Sequence, residues 1–371
     1  MKKIYFIMFF VFILLTSNAS ATTGEFTPDG KVLSPGVIML LLGDEAKYED
    51  EPGEVNEWKE MESMEEARAF HAVVAHSDGY LYVIGGLSLD PQENLNPTNN
   101  IIRYDTANDE WDKEFKPTLD DPLFEIDAEI IDGKIYIPGD SSTAVTYVFD
   151  IEEQKWLESI EPNNDPDNIY IERAYYRTVA IGTDLYVLGG YFNDSNTTTD
   201  EVWILNTETA KWSEGAPMQH DRMSFAAGVI DGVIYVAGGY SLSIPNYILS
   251  AEKFNPYDDS DEWLSISGIS DGGGKYASWA YMADGVNEDA LWLAGGTRAG
   301  LGDDLLYHSG FYDPETDKWT DSTTDDFPTL NQGRVHLSGA LASDGYFYAI
   351  GGHDDAQEPT IYNNNERLRV K

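Results

Sequence analysis

Apolar and polar positions along this chain follow a pattern that recurs about every fifty residues. Each unit holds a short apolar run, rich in β-branched and aromatic residues, that stops at glycine. The full copies are Tyr80 to Gly86, Leu185 to Gly190, Ile234 to Gly239, Leu291 to Gly296 and Phe347 to Gly352, each ending in a Gly-Gly pair. Runs of this length and composition predict buried strands. Two weaker copies, Ile135 to Gly139 and Ile38 to Gly43, keep one glycine. Asp78-Gly79, Asp132-Gly133 and Asp231-Gly232 stand just upstream of such runs and predict tight hairpin turns. Downstream, Asp105, Asp150, Asn206 and Asp313 each precede a tryptophan by six residues: Trp111, Trp156, Trp212 and Trp319. That spacing predicts a second hairpin whose far strand carries a large apolar wedge. Asn255 precedes Trp263 by eight, and Lys47-Tyr48 precedes Trp58 in a similar way. The last unit has Tyr362-Asn363, then Arg369 where tryptophan is expected.

One unit therefore makes a four-stranded sheet that cannot bury both faces alone. Stacking such sheets radially buries them and leaves only short edges. The order of arginine, strand, Gly-Gly, Tyr-Asp and Trp resembles the kelch repeat across almost the whole chain. The resemblance implies an all-β, kelch-type β-propeller occupying residues 22–371. Counting glycine-ended runs favours seven four-stranded blades, with Gly43 closing the first. In the six-blade alternative, Trp58 belongs to an outer strand that completes the C-terminal blade, and Val37 to Leu42 is an accessory strand.

Residues 1–21 read as a signal peptide. Lys2 and Lys3 precede an unbroken apolar run from Ile4 to Leu15, followed by Ala19-Ser20-Ala21 as a cleavage site. A run of that length falls short of the roughly 20 residues of a spanning helix. The expected location is secreted or periplasmic, with no membrane insertion after cleavage. There are no cysteines, which excludes disulfides and thiolate-bound zinc. Acids outnumber bases by 66 to 23, for a net charge of −43. Such a surface repels nucleic acid and anionic membranes.

Arg68, Arg173, Arg222 and Arg334 each stand sixteen or seventeen residues before their Gly pair, with Lys275 near the equivalent place in its unit. At the entrance to the innermost strand they would ring one mouth of the channel and suit a carboxylate, sulfate or phosphate. The competing expectation gives them contacts between blades. Tyr191, Tyr240 and His353 directly follow Gly pairs, in variable loops where a propeller usually binds its ligand. His71 and His336 take the same repeat position on this reading, and that recurrence points to a structural role. Acidic clusters such as Asp258-Asp259-Ser260-Asp261 lack the spacing of a calcium loop. No cofactor is expected, and no metal site.

The expected function is a ligand- or protein-binding module working through the loop face. Its partner would be a protein, a carbohydrate or an acidic small molecule. The alternative rests on a more distant resemblance to exported bacterial kelch propellers that interconvert sialic acid anomers. It implies a sugar-acid mutarotase or epimerase, with basic residues holding the sugar carboxylate. No catalytic residue is assigned, and whether the chain is an enzyme stays open.

Overall fold

The computed structural model describes residues 57–370 apart from 90–93, 163–169, 245, 270–278, 281, 288, 299–306, 323–326 and 355–359. Nearer the N-terminus it describes one two-residue ladder, Glu25–Phe26 against Val32–Leu33. The chain divides into two units, Met1–Asp50, which holds that ladder, and Glu51–Lys371, which holds all the sheets discussed below. The leader at 1–21, the strand expected at Val37 to Leu42, Lys47-Tyr48 and Lys275 lie outside the described residues.

The described residues contain no helix and form six four-stranded antiparallel blades. From inner to outer strand, blade 1 comprises Ala72–Ala75, Tyr80–Ile84, Ile101–Asp105 and Glu110–Trp111. Blade 2 comprises Glu129–Ile131, Lys134–Ile137, Tyr147–Asp150 and Lys155–Trp156. Blade 3 runs Arg177–Ile181, Asp184–Leu188, Val202–Asn206 and Lys211–Glu214. Blade 4 runs Ala226–Ile230, Val233–Ala237, Ala251–Phe254 and Leu264–Ile266. Blade 5 runs Ala283–Val286, Leu291–Ala294, Ser309–Asp313 and Lys318–Asp321. Blade 6 takes Ser338–Leu341, Tyr346–Ile350 and Asn365–Arg369 from the C-terminal region, and its outer strand, Lys59–Met61, from far upstream.

Six blades replace the favoured count of seven and bear out the alternative. The physical reason is the missing last tryptophan. The third strand of blade 6 has no hairpin successor of its own, so Lys59–Met61 pairs with it, Lys59 opposite Arg367. Trp58 then fills the wedge position from the other end of the chain. Its indole N–H donates to Ser309 Oγ of blade 5 (3.0 Å), and its ring meets Phe347 edge-on.

Six separate apolar clusters lie between the blades, one at each junction of the circle. The wedge tryptophans close these junctions with polar contacts as well as area. Trp111, Trp263 and Trp319 each donate an indole N–H at 2.8 Å to a backbone carbonyl just past the preceding blade, on Glu62, Ala216 and Ser267. The acid or amide six places before the tryptophan shapes the hairpin, as expected. Asp105 accepts the Ala107 and Asn108 amides, and Asn206 accepts the Thr209 amide, all at 3.0 Å. Each inner strand lies against the inner strands of its neighbours, so the circle closes around a central channel.

Candidate functional site

Each inner strand starts where the second strand ends, because the two are antiparallel neighbours. The connections into the inner strands and the loops after the Gly pairs therefore share one face. Bridges Ala69 to Leu87, Ala174 to Tyr191, Met223 to Tyr240 and Val335 to His353 fix this register. In blade 5 the same register pairs Ala280 with Thr297, which puts Trp279, not Lys275, at the arginine position. In blade 2, Leu123 takes that place: its carbonyl accepts the Gly86 amide as the Arg222 carbonyl accepts that of Gly190.

The four arginines do not ring an open mouth. Each is 0 % exposed and spent on internal partners. Arg222 donates to the Gly238 carbonyl at 2.8 Å and forms an ion pair with the equally buried Glu252. Arg334 donates to the Ala349 carbonyl at 3.0 Å and pairs with buried Glu366. Arg173 reaches the Gly189 carbonyl and Glu201. Arg68 reaches the Gly85 carbonyl and Asn100 Oδ1, the latter at 2.6 Å. Meanwhile the backbone carbonyls of Arg68, Arg222 and Arg334 accept the amide of the second glycine of the preceding blade. Each of these residues thus ties its own sheet to the one before it. Burial pushes the guanidinium of Arg68 down to about 10 and lowers those of Arg222 and Arg334, with their glutamates pulling back up. The expected anion ring is corrected to a set of buried anchors: each guanidinium binds within its own blade, and only the backbone carbonyls of Arg68, Arg222 and Arg334 reach the blade before.

Glycine is required at this backbone contact. Gly189 has φ of +55°, and a Cβ there would stand 2.5 Å from the Arg222 carbonyl oxygen. No side chain fits that gap without moving a blade.

Two residues past this contact, the chain turns left-handed at the same place in five blades: Phe70, Glu125, Tyr175, Ser224 and His336. Left-handed φ in non-glycine residues is uncommon and calls for outside support. The support is a backbone relay around the channel. The Phe70 amide donates to the His336 carbonyl, Glu125 to Phe70, Tyr175 to Glu125 and Ser224 to Tyr175, at 2.9–3.0 Å. Their side chains form the rim of the mouth. Phe70 packs tilted against His336 at 4.0 Å, and His336 lies parallel to His353 at 4.9 Å with its Nδ1 2.9 Å from the His353 Nε2. The Tyr175 hydroxyl donates to Glu125. Burial lifts the Glu125 carboxyl above its ordinary range, Tyr175 opposes the lift, and Asp140 adds to it. Burial, then His353, keeps His336 well below its ordinary value.

Of the post-glycine residues, the structure brings His353 to this rim and Tyr191 next to it, 6.4 Å from Tyr175. Tyr240 packs instead edge-on against Tyr247 in its own hairpin. The two histidines do not share a repeat position. His336 is the counterpart of Phe70, and His71 that of Leu337, one residue further in. That single step turns one ring to the mouth and the other to the junction between blades 6 and 1, where the Gly351 backbone packs against His71. Glu125, Phe70, Tyr175 and Ser224 were missed. The signal available was position, the second residue after each arginine, because the residue types there have nothing in common.

Below the rim, the channel encloses about 390 Å³. Arg177 spans it, with Asp127 at 3.5 Å on one side and an ion pair with Asp284 on the other. Asp127 also accepts the Thr178 amide at 2.7 Å, and Asp284 the Ala227 amide at 2.8 Å, so the three charges lock blades 2 to 5 together. Glu129 lies on the same wall, and burial followed by the Asp127 charge pushes it up to about 8. Among the described residues no group of three or more His, Asp or Glu is disposed to hold a metal ion.

This architecture, with a glycine pair ending the second strand in five blades, a single glycine in blade 2, and a tryptophan wedge at each junction, defines a six-bladed kelch propeller. The chain belongs to the kelch-repeat family: the profile of the KLHDC2/KLHL20/DRC7 Kelch-repeats domain matches residues 53–239. It is similar to human Kelch-like protein 23, 27 % identical over 187 residues, which cover 50 % of this chain and 30 % of that protein. It is similar also to Beta-scruin of Limulus polyphemus, 24 % identical over 324 residues, 80 % of this chain and 32 % of the relative. Kelch-like protein terF of Aspergillus terreus is 27 % identical over 183 residues, 46 % and 38 % of the two chains. The chain thus spans about a third of the length of these relatives.

Proposed function

We propose that this chain is an exported kelch propeller that binds a protein partner through its loop face. One observation carries the reading: where the exposed apolar side chains stand. Leu89, Leu95, Ile171, Ile244 and Tyr307 are large, apolar and exposed, and all rise from loops of that face. On the opposite side only Tyr257 and Leu264 do so among the described residues. Leu89 and Leu95 pair across one hairpin and the others stand on separate loops, so it is their bias to one face, not a single patch, that favours this face for interaction. The short hairpins Leu87–Leu89 with Leu95–Pro97 and Tyr191–Phe192 with Thr197–Thr198 stiffen the same loops. Export rests on the leader read at residues 1–21.

Sugar-acid isomerisation needs a free cation at the mouth to hold a carboxylate. Arg68, Arg173, Arg222 and Arg334 are committed to internal partners, and Glu125 repels that carboxylate, so neither supports the alternative.

The test is chemical cross-linking of the full chain in the cells that produce it and in their medium. Wild type is compared with Leu95→Asp/Ile244→Asp and with Tyr257→Asp. Adducts present in wild type and Tyr257→Asp but lost from the double variant are expected. Equal adducts from all three, or none from wild type, would refute the loop-face reading.

A further inference from the structure

Register brings two places of a blade together on the loop face: the second residue after the arginine position and the first after the glycine pair. The bridges Ala69 to Leu87, Ala174 to Tyr191, Met223 to Tyr240 and Val335 to His353 set the pairing. In blades 1, 3 and 4 the two places hold Phe70 with Leu87, Tyr175 with Tyr191 and Ser224 with Tyr240. Blade 6 alone among these four has an imidazole at both, His336 and His353.

The hydrogens of this pair can be placed from its contacts. His353 Nδ1 faces the Asp354 backbone carbonyl, an acceptor, so Nδ1 carries hydrogen. In a neutral ring Nε2 is then a bare acceptor, and His336 Nδ1, 2.9 Å away, donates to it. Phe70 closes over both, its centroid 4.0 Å from that of His336 and 5.3 Å from that of His353. The Val335 and His353 amides each donate to the other residue's carbonyl at 2.9 Å. Together these contacts hold the first post-glycine residue against the rim.

An added proton has no good place there. On His353 Nε2 it sets N–H against N–H unless His336 gives up its own hydrogen. On His336 it charges a ring packed between Phe70 and its partner. Among the described residues, the ionisable groups around the pair are His71, Glu125, Tyr175, Tyr176 and Arg177 across the rim cavity, and Asp354 beside His353. Glu125 is engaged by Tyr175, the Tyr176 hydroxyl by the Gly139 carbonyl, and Arg177 by Asp127 and Asp284. Burial, reinforced by the Arg68 charge, holds His71 at about 3 and so neutral. None of these groups offsets the lowering of His336 that burial and His353 cause.

We propose that His336 and His353 form an acid-released latch, closed while both rings are neutral and opening as they take up protons, which frees His353 from the rim. The latch goes beyond the loop-face reading and does not depend on what that face binds. Its sign follows from proton counting. The open pair binds more protons than the closed one, so opening gains as pH falls below the free-histidine value of ~6.5. One released imidazole shifts the balance about thirtyfold between pH 7.5 and pH 5.

The test is amide hydrogen exchange of the full chain near pH 7.5 and near pH 5, corrected for intrinsic rates, together with the ring nitrogen resonances of the histidines. We expect protection of the Val335 and His353 amides to fall at least tenfold in acid. The Met223 and Tyr240 amides, the same bridge without histidine, should change less than twofold. Near pH 7.5 both rings should carry hydrogen on Nδ1. In His336→Asn/His353→Gln neither side chain titrates, and asparagine tolerates the left-handed φ of +51°; its protection should be equal at both pH values. Should that variant fail to fold, the two bridges of the wild type decide. An equal fall at both bridges, a neutral His353 with hydrogen on Nε2, or an acid response kept in the double variant overturns the latch.

Discussion

Replacing Arg222 by methionine removes the guanidinium and keeps most of the stem volume. The structure sets the scale of the loss. The Gly238 carbonyl loses its donor at 2.8 Å and the Ser250 carbonyl one at 3.2 Å. Glu252, 0 % exposed, keeps only the Gln219 amide at 2.7 Å. Stranding a buried charge costs about 3–5 kcal/mol. With ~2.1 cal/mol/K of unfolding entropy per residue, the unit Glu51–Lys371 loses ~1.5 °C of Tm per kcal/mol, so a fall of ~5–8 °C is expected. The double variant Arg222→Met/Glu252→Leu should lie closer to wild type, at ~1–3 kcal/mol, since it removes both charges. The pair was also imperfect at the outset, because the Arg222 Nε–H has no acceptor. Calorimetry and denaturant unfolding of the three proteins measure the difference. A single variant melting within about 2 °C of wild type would refute the structural role of the buried guanidinium and return Arg222 to the pool of candidate ligand residues.

Two further outcomes follow from the same contacts. Gly189→Ala meets the Arg222 carbonyl at 2.5 Å and strains φ, whereas Gly79→Ala, with φ of +88° and nothing within 4 Å, suffers strain alone; unfolding curves should show ~1 kcal/mol lost at Gly79 and at least twice that at Gly189, and equal losses would remove the steric argument. Glu129 rises from 4.5 to about 8 in the fold, so above pH 4.5 the folded state holds a proton that the unfolded chain has released, and its contribution is lost as pH climbs through 8. Glu129→Gln should match wild type in unfolding free energy near pH 4.5 and exceed it by ~2–3 kcal/mol near pH 9, after allowing for screening by channel solvent; a pH-independent difference would dismiss the raised carboxyl.

Much of the propeller was legible because its units repeat their chemistry. Gly85-Gly86 and Gly351-Gly352 serve the same backbone contact, and Trp111 and Trp319 the same wedge, so residue identity recurs where the physics recurs. Blade number was less legible, since it depends on which strand fills the place left by the missing last tryptophan, and Trp58 lies some three hundred residues from its blade in sequence. The arginines show the opposite hazard. Their periodic spacing was read correctly, but an arginine buried against Glu252 or Glu366 looks the same in sequence as one turned to solvent. The rim was nearly invisible, because Phe70, Glu125, Tyr175, Ser224 and His336 share a backbone conformation and a relay of amides, not a side-chain type.

The outer strand of blade 6 decides when the circle can close. Lys59–Met61 leaves the ribosome some three hundred residues before its mate, Asn365–Arg369. Until then the nascent protein is an open arc with a strand-ready edge at its leading end, the kind of edge that recruits other chains. Lys59 and Glu60 are exposed in the finished ring, and a charged pair on a waiting edge discourages the wrong neighbour. Circle closure is thus a single late event, joining the first blade residues synthesised to the last.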